Sequence, residues 1–186
     1  MIAHKVATCG RHLEGTLRVL AGKVLPMSLY GVEVATVNAS AESKLISAMA
    51  SATMGRGFRG RNPDLALLTA GKGDVHPRVV AYLRRVMMVR RQWHLYPDAR
   101  ERIDTLVAAV AGLDVLPRRG RGPITLLFGS LRDMGGWMDP AYNVQFGGQT
   151  PFNMLWDPIQ LVKGADSCSR KEVHPWKSTR CQAWVG

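Results

Sequence analysis

Cysteine is scarce. Cys9, Cys168 and Cys181 are the only three, spread over the two ends of a 186-residue chain. An odd number at such spacing gives no disulfide framework and suits a reducing compartment, so the Asn38-Ala39-Ser40 sequon reads as a chance match. No apolar run approaches the roughly 18 residues of a membrane-spanning helix, and residues 1–10 lack the continuous hydrophobic stretch of a secretory signal. The expected location is intracellular, nuclear or cytoplasmic, with no membrane partner. Adjacent acids are missing too: the 14 Asp and Glu residues include no Asp-Asp or Asp-x-Asp pair, the arrangement that seats two metal ions for nucleotidyl transfer. There is no Walker-type glycine loop, and Gly71-Lys72-Gly73 reads as a turn. Nucleophile-elbow and zincin motifs are likewise absent from the sequence. No catalytic activity, no cofactor and no small-molecule substrate are expected. Cys168, His174 and Cys181 are weak metal candidates, because their spacing supplies three ligands where a structural zinc site takes four.

What the chain has is a core and a surplus of arginine. Hydrophobic residues make up 46% and charged residues 21%, which excludes disorder throughout and fits about one domain. The formal net charge is +11, from 25 Lys and Arg against 14 Asp and Glu, and most of it falls between residues 56 and 121. Net charge speaks to partners rather than to fold, and an excess of this kind attracts a phosphate backbone.

The pattern of apolar residues is helical. Leu13, Leu17, Leu20 and Val24 share one stripe, Pro26 is expected to kink or restart that helix, and Gly31 to close it. Asn38 or Ser40 caps a helix to Met54, and Asn62-Pro63 starts a short one through Thr69. Pro77 opens the best-defined helix, to about His94, with the stripe Val79, Val80, Leu83, Val86, Met87 and Trp93. A helix capped by Asp98 follows, ending near Gly112, then one from Pro123 carrying Ile124, Leu127, Phe128 and Leu131. Residues 141–147 allow one short strand or hairpin arm, and Phe152 to Val162 reads as a last helix with Phe152, Leu155, Trp156 and Ile159 inward. The expected fold is all-α, a small helical bundle with at most that strand. Its organisation divides into a helical domain over 1–136, an appended segment over 137–163 and a loose tail over 164–186.

On the Pro77 helix, at 100° per residue from Val79, Arg78 and Arg85 fall on one flank of the stripe and Arg84 and Arg91 on the other. Arg90 projects into the seam and has to snorkel, meet a carboxylate or face a partner. Arg56, Arg59 and Arg61 sit in a glycine-rich loop and Arg118, Arg119 and Arg121 in a turn, with Phe58 or Trp93 available for stacking. Together these ten arginines can track a nucleic-acid backbone, although no base-reading element is identifiable. A helical module pairing its arginines with an acidic protein is the alternative.

Leu25-Pro26-Met27-Ser28-Leu29-Tyr30-Gly31-Val32-Glu33 resembles the L-P-x-x-L-Y-G-x-E block that follows the polymerase core of non-LTR (LINE-type) retrotransposon reverse transcriptases. Residues 45–70, 71–93 and 122–137 are similar to successive downstream blocks of that family. The resemblance implies a thumb and post-thumb segment that grips a template-primer duplex of RNA or DNA. The family's palm, with its metal-binding carboxylates, lies upstream of this block and is not reproduced in these residues. Cys168, His174 and Cys181 do not reproduce its C-terminal knuckle either. The implied piece is catalytically inert on its own; a decayed, non-functional retroelement fragment would carry the same residues.

Overall fold

The computed structural model describes residues 13–55, 62–71, 75–113, 122–147 and 149–158. Among them the chain is helical apart from one small antiparallel sheet. The first helix, α1 (Leu13–Val19), runs unbroken through a π turn (Leu20–Val24) into α2 (Leu25–Ser28). The π turn has a local cause. Pro26 has no N–H to return to the preceding turn, and the helix widens just before it, with the Leu25 N–H reaching back to Leu20 O. Widening also rotates the buried face, which runs through Thr16, Leu20, Val24 and Leu25, while Leu13, expected on the stripe, is exposed. Gly31 then turns the chain at φ +74°, a conformation that suits glycine.

Caps and prolines set the remaining boundaries. Asn38 accepts hydrogen bonds from the Ser40 and Ala41 N–H groups at 2.8 and 3.3 Å to start α3 (Ala39–Met54). Such a cap stabilises a helix by about 1 kcal/mol. Asn62 does the same for Asp64 and Leu65 at the start of α4 (Pro63–Gly71). Proline opens α5 (Pro77–Leu95), α6 (Pro97–Ala111) and α7 (Pro123–Asp133), where a missing N–H costs nothing. Ile124, Leu127, Phe128 and Leu131 are all buried, as their spacing on α7 predicts.

After α7 come β1 (Gly136–Met138), β2 (Asn143–Phe146) and β3 (Phe152–Asn153), paired antiparallel in that order. The single strand expected near 141–147 is thus the centre of three. The helix expected from Phe152 does not form over 152–158. Asn153 Oδ1 accepts from the Leu155 and Trp156 N–H groups, and Asp157 Oδ2 accepts from the Asn153 N–H. These side chains satisfy locally the donors that a helix would have used.

Two hydrophobic clusters fill the interior. One joins α1, the π turn, α2, α3 and α4, around Leu20, Leu25, Met49 and Leu67, and takes Ala81 from α5. The other joins α5, α6, α7 and the sheet, around Tyr82, Val86, Val107, Leu127, Leu131 and Val144. Truncating a fully buried leucine such as Leu127 costs roughly 2–5 kcal/mol. The second cluster is continuous across the expected boundary after residue 136, since Met138, Phe146 and Phe152 pack in it beside Val86 and Leu131. The tail over 164–186 lies outside the described residues.

Candidate nucleic-acid interface

Four of the ten expected backbone-contacting arginines, Arg78, Arg84, Arg85 and Arg91, lie on α5. Arg56, Arg59, Arg61, Arg118, Arg119 and Arg121 lie outside the described residues, as do Phe58, Cys168, His174 and Cys181. Among the described residues no group of three or more His, Cys, Asp or Glu is placed to hold a metal ion. None of the helices there is long and apolar enough to cross a membrane.

The four arginines of α5 have different fates. Arg78 Nε donates to Glu42 at 2.9 Å and its Nη1 lies 3.8 Å from Asp64, so two carboxylates from α3 and α4 neutralise it. Arg84 Nη1 donates to the Leu29 carbonyl at 3.1 Å and lies 3.6 Å from Glu33, leaving it part-exposed. Arg85 is buried. It donates to the carbonyls of Val32 and Leu126 at 3.0 and 3.3 Å, to Ala35 O at 3.4 Å and to the Ser130 hydroxyl. Burial pulls its pKa below the usual guanidinium range, opposed by Glu42, Asp133 and Glu33. Arg91 is exposed and, among the described residues, meets no carboxylate. The two rails flanking the α5 stripe therefore reduce to Arg84 and Arg91, on one side.

Arg85 turned inward because the core face of α5 is centred elsewhere than the stripe predicted. Tyr82 and Val89 are buried and Met87 is 47% exposed, which moves the centre toward the Arg78 and Arg85 flank. Arg90 does fill the seam: its Nη1 donates to Met154 O and Asp157 O at 3.3 and 2.6 Å, tying the end of the sheet to α5. His76 stands at the N-cap of α5, where its buried ring bonds Asp64 at 3.2 Å and makes no side-chain cap to the helix backbone.

Arg84 and Arg91 border an open groove of about 740 Å³ along the outer face of α5, with Val80, Leu83 and Met87 in its lining and Glu33 and His94 toward its ends. His94 Nε2 donates to the Leu155 carbonyl at 3.1 Å. Trp156 stands beyond it, 63% exposed, its ring edge-on to His94 and Trp93 with centroids 5.2 and 5.1 Å away. Trp93, expected to be free for stacking, is engaged. Its Nε1 donates to Asp104 at 3.1 Å, and the Arg100 guanidinium covers its ring at 4.6 Å.

No family model, curated protein or solved structure matches the chain.

The distribution of charge adds one observation. Eleven basic and ten acidic residues fall within the described segments, against fourteen and four outside them. Nearly the whole positive surplus belongs to the sequence of residues 1–12, 56–61, 72–74, 114–121 and 159–186. Trp156 is the site residue that sequence reading missed, since the helix expected over 152–162 assigned it to the core. The signal was present in Asn153 and Asp157, two side chains suited to a turn.

Proposed function

We propose that this chain binds nucleic-acid backbone as a thumb and post-thumb segment of the non-LTR reverse-transcriptase type, without itself transferring nucleotides. The observation that carries the reading is the groove on α5, where Arg91 has no carboxylate among the described residues and Arg84 stands two turns away. A rise of 1.5 Å per residue sets the Cα atoms of these two arginines about 10.5 Å apart along the helix. The two segments that resemble the family also bind each other. Leu29 and Val32 of the L-P-x-x-L-Y-G-x-E block lend their carbonyls to Arg84 and Arg85 of α5, and Leu25, Leu29 and Val32 are buried in the first core.

Salt dependence tests the binding. Each phosphate neutralised contributes about 0.9 to the log-log slope on duplex DNA and about 0.7 on a single strand. Arg91→Ala should lower the slope by about that amount between roughly 50 and 200 mM salt, with the fold intact, because Arg91 bonds nothing among the described residues. An unchanged slope would remove Arg91 from the interface. Primer extension by the purified chain should yield no product; nucleotide incorporation would overturn the non-catalytic part.

A further inference from the structure

We infer that the nucleic acid this groove takes is single-stranded, with a base stacked on Trp156; the inference rests on the backbone-binding part of the reading above and sets a single strand in place of the template-primer duplex that the family resemblance implies. The composition of the groove argues against a duplex. Three arginines line it, of which Arg90 is spent on the Met154 and Asp157 carbonyls and Arg84 shares its place with Glu33 at 3.6 Å. Beside Glu33, Gln92 and His94, the rest of its lining is the aliphatic and thioether surface of Val80, Leu83, Met87 and Met88, of which Met87 is 47% exposed. A duplex presents phosphate rows and keeps its bases stacked inside, so the methionine and aliphatic surface would have no partner. A single strand brings unstacked bases with apolar faces, and binding modules for such strands combine a cationic track with aromatic platforms.

Trp156 has the features of such a platform. It is the most exposed tryptophan among the described residues, and it is held in place from three sides. Asn153 Oδ1 accepts its backbone N–H at 3.2 Å, Trp93 meets the ring at 85° and His94 meets it at 82°. Trp93 is itself fastened by Asp104 and Arg100, so the support beneath Trp156 is built before any ligand arrives. His94 joins platform to groove, since it lines the groove and touches Trp156. A strand whose phosphates lie on Arg84 and Arg91 continues along α5 toward His94 and delivers its next base to the exposed ring.

The test is fluorescence anisotropy of the full chain with a labelled oligothymidylate and a duplex of the same length at low salt, using wild type, Trp156→Ala and Trp156→Phe. Circular dichroism of each variant confirms folding. The single strand should bind more tightly than the duplex. Trp156→Ala should weaken single-strand binding at least about fivefold and leave duplex binding unchanged, and Trp156→Phe should restore most of the loss. Equal single-strand binding by wild type and Trp156→Ala, or tighter binding of the duplex, would overturn the inference while leaving backbone binding in place. Retention of neither oligonucleotide would overturn both readings.

Discussion

Arg85 offers the sharpest separation between an arginine that holds the fold and one that holds a ligand. Its guanidinium serves Val32 and Ala35 in the turn after α2 and Leu126 and Ser130 on α7, so one side chain pins two segments to α5. Arg85→Ala leaves these acceptors without their donor. The Leu126 carbonyl retains the Ser130 hydroxyl at 3.0 Å, and Ala35 is exposed to water, which limits the loss at those two ends. Val32 is buried and loses its bond outright. With charged hydrogen bonds contributing about 1.5–3 kcal/mol and an orphaned buried acceptor costing about 1–3, the expected destabilisation is about 3 kcal/mol. That is a large part of the 5–15 kcal/mol typical of a domain, and it lowers Tm by roughly 6–12 °C at this size. Arg85→Met keeps most of the buried stem and should lose less, so the difference between the variants measures the cavity. Urea unfolding followed by circular dichroism reads both as a fall in midpoint at constant slope. A change below about 0.5 kcal/mol, with a reduced salt slope for nucleic-acid binding, would refute the reasoning and return Arg85 to the surface.

Tyr142 predicts a pH dependence. Burial first, then its hydrogen bond to the Asp104 carboxylate, push its hydroxyl well above the usual tyrosine range. The unfolded chain therefore loses this proton near pH 10 while the folded chain keeps it, so stability falls as pH rises from about 10; in Tyr142→Phe that fall, measured by urea titration, should be shallower. Gly136 pairs across the sheet with Phe146, and a Cβ there would stand 2.5 Å from the ring. The ring is held by Tyr82 and Phe152, so Gly136→Ala should destabilise by about 1–3 kcal/mol, read as a lower Tm; an unchanged Tm would show that the ring yields freely.

Four helix starts were legible because single residues set them: Asn38, Asn62, Pro77 and Pro123 each act through their own backbone or side chain, whereas Asp98, expected as a cap, lies inside α6, which Pro97 opens after an N-cap at Tyr96. The sheet was harder to read. Its strands span three, four and two residues, too few for an alternating pattern to declare itself. At the site, the spacing of α5 put Arg90 in the seam, but of the fates expected there, snorkelling, a carboxylate or a partner, none names the backbone carbonyls of Met154 and Asp157 that it meets. It could not tell Arg85 from Arg84, because the difference lies in what stands opposite. The turn after α2 and the start of α7 converge on Arg85, and contacts between residues 41 to 53 positions apart leave no mark on local periodicity.

Helix α5 gives lining to both hydrophobic clusters, Ala81 to one and Tyr82, Val86 and Val89 to the other, and its arginines latch the turn after α2 and the end of the sheet. A backbone shared in this way makes the two halves indivisible. Shortening the protein from either side would strip one flank of that helix and bare apolar surface on the half that was kept. Melting should accordingly pass through a single cooperative step, with neither half persisting as an independent module.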